Sequence, residues 1–398
     1  MEHALMQKTI LDPDATRALM PELGATRHPR VWVYRYTDDA NGWTLSIATH
    51  AEPGSRKLSL GGFRIAPESR TSSPGFTPDR EAIGLAMGME EKVHWSRVIR
   101  VGGPLAVRDM QRIVGGKCVL APTPDARVGQ PRDFALLDFA IGCFRDVEAS
   151  AGIYLTTGQD LGHGVMSDGH TQSLAYLNEH YKGSIHSDTS KPTGEGNFQL
   201  LQGMLRGLGC ELAGATVGVL GCGNIGMHIV EKLRECGATI LAMEARDDRR
   251  AELEAMGIRT WGAADKATFL ALSMDAVAVN AAGGTLDAAA VQACCANPRL
   301  RVVCGSENLV MPDAAGVLAL RDAGKLYAPT ELGGMMGYLT AVEEYLAHLE
   351  GVPFDVQTLF EAAKRLDTAG FEAATRVREG GYRESFEDAV LGLYGDVD

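Results

Sequence analysis

Three ionisable side chains in the first half of the chain stand in contexts suited to proton transfer: Lys92 in GMEEK, Lys117 in VGGKCVL and Asp160 in TGQDLGH. Amines and carboxylates give and take protons near neutral pH once their surroundings are arranged for it. Singly, two of them also have ordinary readings: Lys92 suits the end of a helix, where it meets the C-terminal dipole, and Asp160 before Leu161-Gly162 suits a turn. Lys117 is less ordinary. Gly115-Gly116 before it and the apolar CVLA after it predict a turn feeding a buried strand, which takes the amine out of water.

A second chemistry is written in GCGNIG, residues 221–226, directly after the apolar run TVGVL (216–220). In a chain with 47 glycines the bare pattern arises by accident on the order of once, so its weight comes from context. Gly221, Gly223 and Gly226 open a helix after a strand, and Glu244 ends the next apolar run. This is the arrangement that lays backbone against a pyrophosphate at a helix N-terminus and offers a carboxylate to a ribose. Gly221, Gly223, Asn224, Ile225, Gly226, Glu244 and Ala281 are the candidate dinucleotide contacts. A carboxylate at 244 repels a 2′-phosphate and favours NAD, while guanidinium groups at Arg246, Arg249 and Arg250 leave NADP possible.

The elements that must position these groups follow from patterning. Val31–Tyr36 and Trp43–His50 read as two strands of a hairpin around Asn41-Gly42, and Thr77-Pro78 opens a helix running to about Glu91. Residues 157–197 are polar and glycine-rich and read mostly as loop, and from 198 the texture is α/β. Strands are expected at 216–220, 238–244, 276–280, 301–305 and 325–329, and helices over 340–394. The expected fold is α/β with two domains, a catalytic domain over 1–190 completed by 340–398 packing back on it, and a Rossmann-type domain over 191–339. At 398 residues the chain is long enough for both cores, and its net charge of −13 argues against general nucleic-acid or anionic-membrane partners. No apolar run is long enough to cross a membrane, and the eight cysteines form no CxxC pair. These features predict a cytoplasmic protein with reduced thiols. His163, His170, His180 and His186 lack metal-ligand regularity, and no metal is expected.

Several motifs in order give a resemblance that spans nearly the whole chain: GWTLSIATH before LGGFR (60–64), GMxxK at 88–92, GGK at 115–117, DLG at 160–162, S-x-x-T-x-x-G at Ser190, Thr193 and Gly196, and GxGN at 221–224. Together they resemble the amino-acid dehydrogenases acting on glutamate, leucine, phenylalanine and valine, most closely the leucine/phenylalanine branch. The resemblance implies that Lys92 grips a substrate carboxylate beside Gly61-Gly62, that Lys117 is the catalytic lysine and that Asp160 is the acid/base. Thr193 then holds the nicotinamide carboxamide, and Asn308 lies near the cofactor–substrate junction. Leu60, Tyr338 and Ala341 resemble side-chain-pocket residues and imply an apolar or aromatic substrate. The implied activity is NAD-dependent oxidative deamination of an L-2-amino acid, or its reversal with ammonia, in a homo-oligomer.

Two departures stand out. Residues 93–116 separate the two lysines by about twice the family's usual interval, and they read as an extra helix or flap. Where the family has consecutive asparagines this chain has CGSENL (304–309), and where it has NAGGV this chain has LGGMMGYL (332–339). Amino-group recognition is therefore altered: either Glu195, Glu307 or Glu331 substitutes, or the enzyme reduces an unusual 2-oxo acid or imine. A non-catalytic nucleotide-binding subunit is a third reading.

Overall fold

The computed structural model describes residues 6–158, 160–183, 186–281, 283–307, 310–311 and 315–397. In chain order its strands are β1 (Gln7–Leu11), β2 (Trp32–Asp38), β3 (Trp43–Thr49), β4 (Leu58–Leu60), β5 (Phe63–Ile65), β6 (Ile113–Ala121), β7 (Tyr154–Thr156), β8 (Thr216–Leu220), β9 (Thr239–Met243), β10 (Arg259–Trp261), β11 (Ala276–Val279), β12 (Val302–Gly305) and β13 (Leu326–Tyr327). The helices that matter below are α1 (Pro78–Ile99), α2 (Pro104–Arg108), α3 (Asp133–Ala151), α4 (Ser173–His180), α5 (Ser190–Gly207), α6 (Asn224–Glu235), α7 (Met335–Glu350) and α8 (Gln357–Glu379). The chain divides into one unit of Met1–Val93, Arg108–Ser187 and Ala341–Phe354, and another of His94–Val107, Asp188–Thr340 and Asp355–Asp398.

The first unit is built on a sheet of order β1-β2-β3-β6-β4-β7, with β5 also pairing β6. Side chains alternate across it. Tyr34, Tyr36, Leu45, Ile47, Cys118 and Leu120 face a core shared with Leu136, Leu137, Ala140 and Phe144 of α3. Val33, Ala48 and Val119 belong to the core that Ala82, Ile83 and Ala86 of α1 complete. Lys117 has the parity of Val119 and so lies on the α1 side of β6. The expected hairpin is present as β2 and β3, in register from Trp32 opposite Thr49 to Asp38 opposite Trp43.

The second unit holds an all-parallel sheet of order β10-β9-β8-β11-β12-β13. In the unit's own strand sequence this is 3-2-1-4-5-6, the dinucleotide-binding order, with its reversal of direction between β8 and β11. Strands covered on both faces read as continuous apolar runs, which is why five of the six are legible; β10 has only Arg-Thr-Trp and was not expected.

Four local expectations change. α1 runs on to Ile99, so GMEEK is interior rather than the helix end, and residues 93–116 become its last turns, α2, a short 3-10 turn and the start of β6 instead of a separate flap. Gly115 and Gly116 lie within β6 rather than in a turn. They are small because neighbours crowd them: a Cβ on Gly115 would fall 2.3 Å from the Glu90 nitrogen of α1, and one on Gly116 would fall 2.1 Å from Ser59 Oγ. The 157–197 segment is mostly loop, as expected, but the expectation gave it no helix, and it contains α4 and the first turns of α5. The helical tail is divided: Ala341–Phe354 belongs to the first unit, whereas α8 belongs to the second, where its buried stripe of Leu366, Gly370 and Ala374 meets α5. Among the described residues no helix is long and apolar enough to cross a membrane, no group of His, Cys, Asp and Glu is arranged to hold a metal, and all eight cysteines are free.

Candidate active site

β4 and β5 lie along β6 as two halves of one parallel strand, Leu58–Leu60 opposite Ile113–Gly115 and Phe63–Ile65 opposite Cys118–Leu120. Gly61 and Gly62 fill the break, opposite Gly116 and Lys117. A Cβ on Gly61 would fall 1.4 Å from the Gly116 carbonyl oxygen, and Gly62 has φ +78, a conformation open to glycine and strained for other residues. Into this break β6 delivers Lys117. Its side chain is 8 % exposed; Nζ donates to the Gly61 carbonyl at 2.5 Å and pairs with the Asp160 carboxylate.

Asp160 arrives on the segment after β7, which is tied to β5 by Phe63 N–H to the Gly158 carbonyl (3.1 Å) and Ile65 N–H to the Leu161 carbonyl (3.0 Å). Arg64 holds it from the other side, donating through Nη2 at 3.1 Å and Nε at 3.3 Å to Oδ1, and Arg64 Nη1 reaches Glu81 Oε1 at 2.5 Å. Lys117, Asp160, Arg64 and Glu81 thus alternate in sign through a largely buried line. Burial alone would raise the Asp160 pKa, but the charges of Lys117 and Arg64 outweigh it and hold the carboxyl well below the usual range. Lys117 thus has a carboxylate as its charged partner.

Lys92 lies on α1, 7 % exposed, two residues past Glu90, whose carboxylate accepts the Gly115 N–H. Met89 of the same turn stands 3.2 Å from the Cβ position of Gly61, so α1 is seated on the glycine break. Leu60, 1 % exposed, immediately precedes that break, and Ala341 of α7 is 8 % exposed in the same unit. Tyr338, in the second unit, is 5 % exposed and shares a hydrogen bond with the Ser96 hydroxyl. His163 does not reach for a proton relay. Its Nε2 meets the Phe63 carbonyl at 2.8 Å, and a carbonyl only accepts, so Nε2 carries the hydrogen and Nδ1 accepts from Ser173 Oγ at 3.1 Å. The imidazole clips the Asp160 segment to β5.

In the second unit the glycine turn after β8 has the build of a pyrophosphate cradle. A Cβ on Gly221 (φ +80) would fall 2.7 Å from the Asn280 carbonyl and 2.8 Å from the Ala281 nitrogen, and one on Gly226 would fall 2.0 Å from the Gly221 carbonyl. Gly223, by contrast, faces open space and caps α6 without any side-chain bond, leaving the first amides of that 12-residue helix, from Asn224 and Ile225 on, free for an anion. Glu244, 7 % exposed, accepts Cys222 N–H at 2.8 Å and Arg246 N–H at 3.0 Å, one bond per oxygen, which leaves lone pairs for ribose hydroxyls. Arg249 and Arg250 are engaged by Glu252 and Asp247, while Arg246 is about half exposed. Thr193 Oγ1 donates to the Thr189 carbonyl at 2.7 Å and retains acceptor capacity. Glu195, one expected substitute for the missing asparagines, is instead buried between His228 Nε2 (2.9 Å) and Gln199 Nε2 (2.8 Å). Asn308 lies outside the described residues.

Sequence reasoning passed over Arg64, Glu81 and Asn280. Arg64 was in view as the last letter of LGGFR, but nothing local marks it as a partner of a residue 96 positions on. Asn280 ends β11 beside the cradle, its Oδ1 accepting from Ser306 Oγ at 2.5 Å and its buried Nδ2 without a partner among the described residues.

Residues 186–281 match the family model described as D-isomer specific 2-hydroxyacid dehydrogenase, NAD binding domain. The valine dehydrogenase of Streptomyces virginiae is 26 % identical over 336 residues, 83 % of this chain and 84 % of that one, and the valine dehydrogenase of Streptomyces albus is 31 % identical over 154 residues, 38 % of this chain and 40 % of that one. The chain is thus similar to amino-acid dehydrogenases over most of its length. Among solved structures, L-tryptophan dehydrogenase from Nostoc punctiforme superposes with a TM-score of 0.62 at 19 % identity, covering 91 % of this chain and 93 % of that one. The hetero-hexameric glutamate dehydrogenase from Thermus thermophilus gives 0.62 at 19 %, covering 91 % and 83 %. The chain therefore has the two-domain fold with a Rossmann-type domain, and its cofactor is NAD(H).

Proposed function

We propose that this dehydrogenase oxidatively deaminates an apolar or aromatic L-2-amino acid to its 2-oxo acid, or runs the reverse amination. The observation that carries the reading is the buried Lys117–Asp160 pair set on the Gly61–Gly62 break. Bound NAD supplies the hydride acceptor or donor for Cα. In this reading Lys92 holds the substrate carboxylate, and the Gly61–Gly62 backbone lets it lie close. Asp160, kept ionised by Lys117 and Arg64, takes the proton of the substrate ammonium and releases it to solvent; Lys117 then passes its own proton to Asp160 and, as the neutral amine, takes the proton of the water that adds to the imine carbon. Thr193 and Ala281 position the nicotinamide end, and the 221–226 turn holds the pyrophosphate. Glu244 favours NAD over NADP, because its carboxylate repels a 2′-phosphate and Arg249 and Arg250 already have carboxylate partners. Leu60 and Ala341, both of the first unit, bound the apolar side chain of the substrate in this reading. We assign the substrate domain to the first unit, Met1–Val93 with Arg108–Ser187 and Ala341–Phe354, and the dinucleotide domain to the second, and we propose a homo-oligomer in solution.

The absent asparagines favour a second reading, reduction of an unusual 2-oxo acid or imine, and the engagement of Glu195 by His228 removes one substitute for them. A panel of aliphatic and aromatic 2-oxo acids, each with and without ammonium, followed by NADH and NADPH absorbance, tests both. Ammonium-dependent oxidation of NADH supports the first reading, ammonium-independent oxidation supports the second, and no oxidation with any acid contradicts both.

A further inference from the structure

The first unit carries a cavity that the catalytic reading does not use. It has a volume of about 350 Å³ and lies at the starts of the parallel strands β4, β6 and β7, floored by Leu58, Ile113 and Tyr154 and walled by Tyr345, Leu346 and Leu349 of α7. Ile113 precedes Lys117 by four residues on β6, so the cavity is roughly 13 Å from the lysine along the strand. Its rim is cationic. Arg56, Arg112 and Lys182 stand there against the single carboxylate of Asp109, in a chain whose net charge is −13. Arg112 approaches Asp109 at 3.6 Å, a carboxylate that Arg108 also pairs with, at 2.6 Å. Among the described residues, Arg56 and Lys182 have no hydrogen bond or ion pair of their side chains. Arg56 also sits at φ +53, one of three non-glycine residues among those described in that left-handed conformation.

We propose that this cavity binds a small monocarboxylate with an apolar or aromatic tail, at a site separate from the one around Lys117. The tail packs among Leu58, Ile113 and Leu346 and leaves water, while the carboxylate meets Arg56 and Lys182 at the rim, where a fork and a point charge both offer donors. The volume suits a ligand of about the size of an aromatic acid. The inference stands on this cavity alone and does not require the catalytic reading.

The test uses 4-phenylbutanoate, which has neither a 2-amino nor a 2-oxo group, with the whole chain in titration calorimetry. The expected result is saturable binding that persists in Lys92→Met/Lys117→Met, weakens at least tenfold in Arg56→Gln/Lys182→Gln, and is at least tenfold weaker for the uncharged 4-phenylbutan-1-ol. Arg56 and Lys182 are exposed and support no partner, so that double variant folds. Absence of binding, unchanged affinity in Arg56→Gln/Lys182→Gln, equal affinity for the alcohol, or loss of binding confined to Lys92→Met/Lys117→Met would each overturn the proposal. Unfolding curves of both double variants show whether any lost binding reflects lost fold.

Discussion

At the scale of residues the account rests on the alternating charges Lys117, Asp160, Arg64 and Glu81. Asp160 owes its ionisation to two cations, so taking one away moves it measurably. In Arg64→Gln the Asp160 pKa rises toward the ordinary carboxylate value, and the acid limb of the kcat/KM profile is expected to move to higher pH by about one unit or more. An unmoved limb would remove Arg64 from the account. His163 gives a prediction of the opposite kind. Burial pushes its pKa down, so between about pH 6.5 and its folded value the native chain binds fewer protons at this site than the unfolded chain. The stability it contributes is present above about pH 6.5 and is lost as the pH falls. His50, lowered to about 4 by burial, acts in the same direction. The urea midpoint should therefore drop between pH 7 and pH 5, with a shallower slope in His163→Asn.

At the scale of elements, glycines decide how closely backbones approach. Gly61 lies so near the Gly116 carbonyl that no side chain fits without parting β4 from β6. Gly61→Ala is expected to cost more than about 3 kcal/mol, read as a shift of the urea transition. Gly203 of α5 plays the same part against α8, where an added Cβ would fall 2.0 Å from the Asp367 carbonyl. Gly203→Ala should destabilise the second unit by about 2 kcal/mol or more while leaving the Lys117 environment unchanged. These approaches mark where the sequence was legible and where it was not. GGK was readable as a motif, yet its glycines looked like a turn because a glycine pair signals conformational freedom as readily as close packing. The partners that make them small, the 89–90 turn of α1 for Gly115 and Ser59 of β4 for Gly116, lie far upstream in the chain.

At the scale of the whole molecule, the parallel sheet of the second unit was readable because strands buried on both faces write themselves as apolar runs. The dinucleotide turn was readable because its glycines, helix and acidic residue are close in sequence. The division of the tail was not. An apolar stripe at helical spacing says that α8 is buried on one face without naming the surface it meets. The same locality explains the site: Lys117 and Asp160 each stood out by their neighbours, whereas Arg64 and Glu81 acquire meaning only from the pairing of β5 with β6 and the seating of α1. For the assembly, light scattering on the purified chain should give a mass that is a multiple of 42.5 kDa. A monomer at all concentrations would contradict the proposed homo-oligomer.

The most direct measurement is kcat for ammonium-dependent NADH oxidation in Lys117→Ala, with NADH affinity determined in parallel by fluorescence titration. Proton transfer through Lys117 predicts a fall in kcat of about a thousandfold with NADH binding unchanged. Turnover within tenfold of the unmodified chain would contradict the assignment of catalysis to this buried pair.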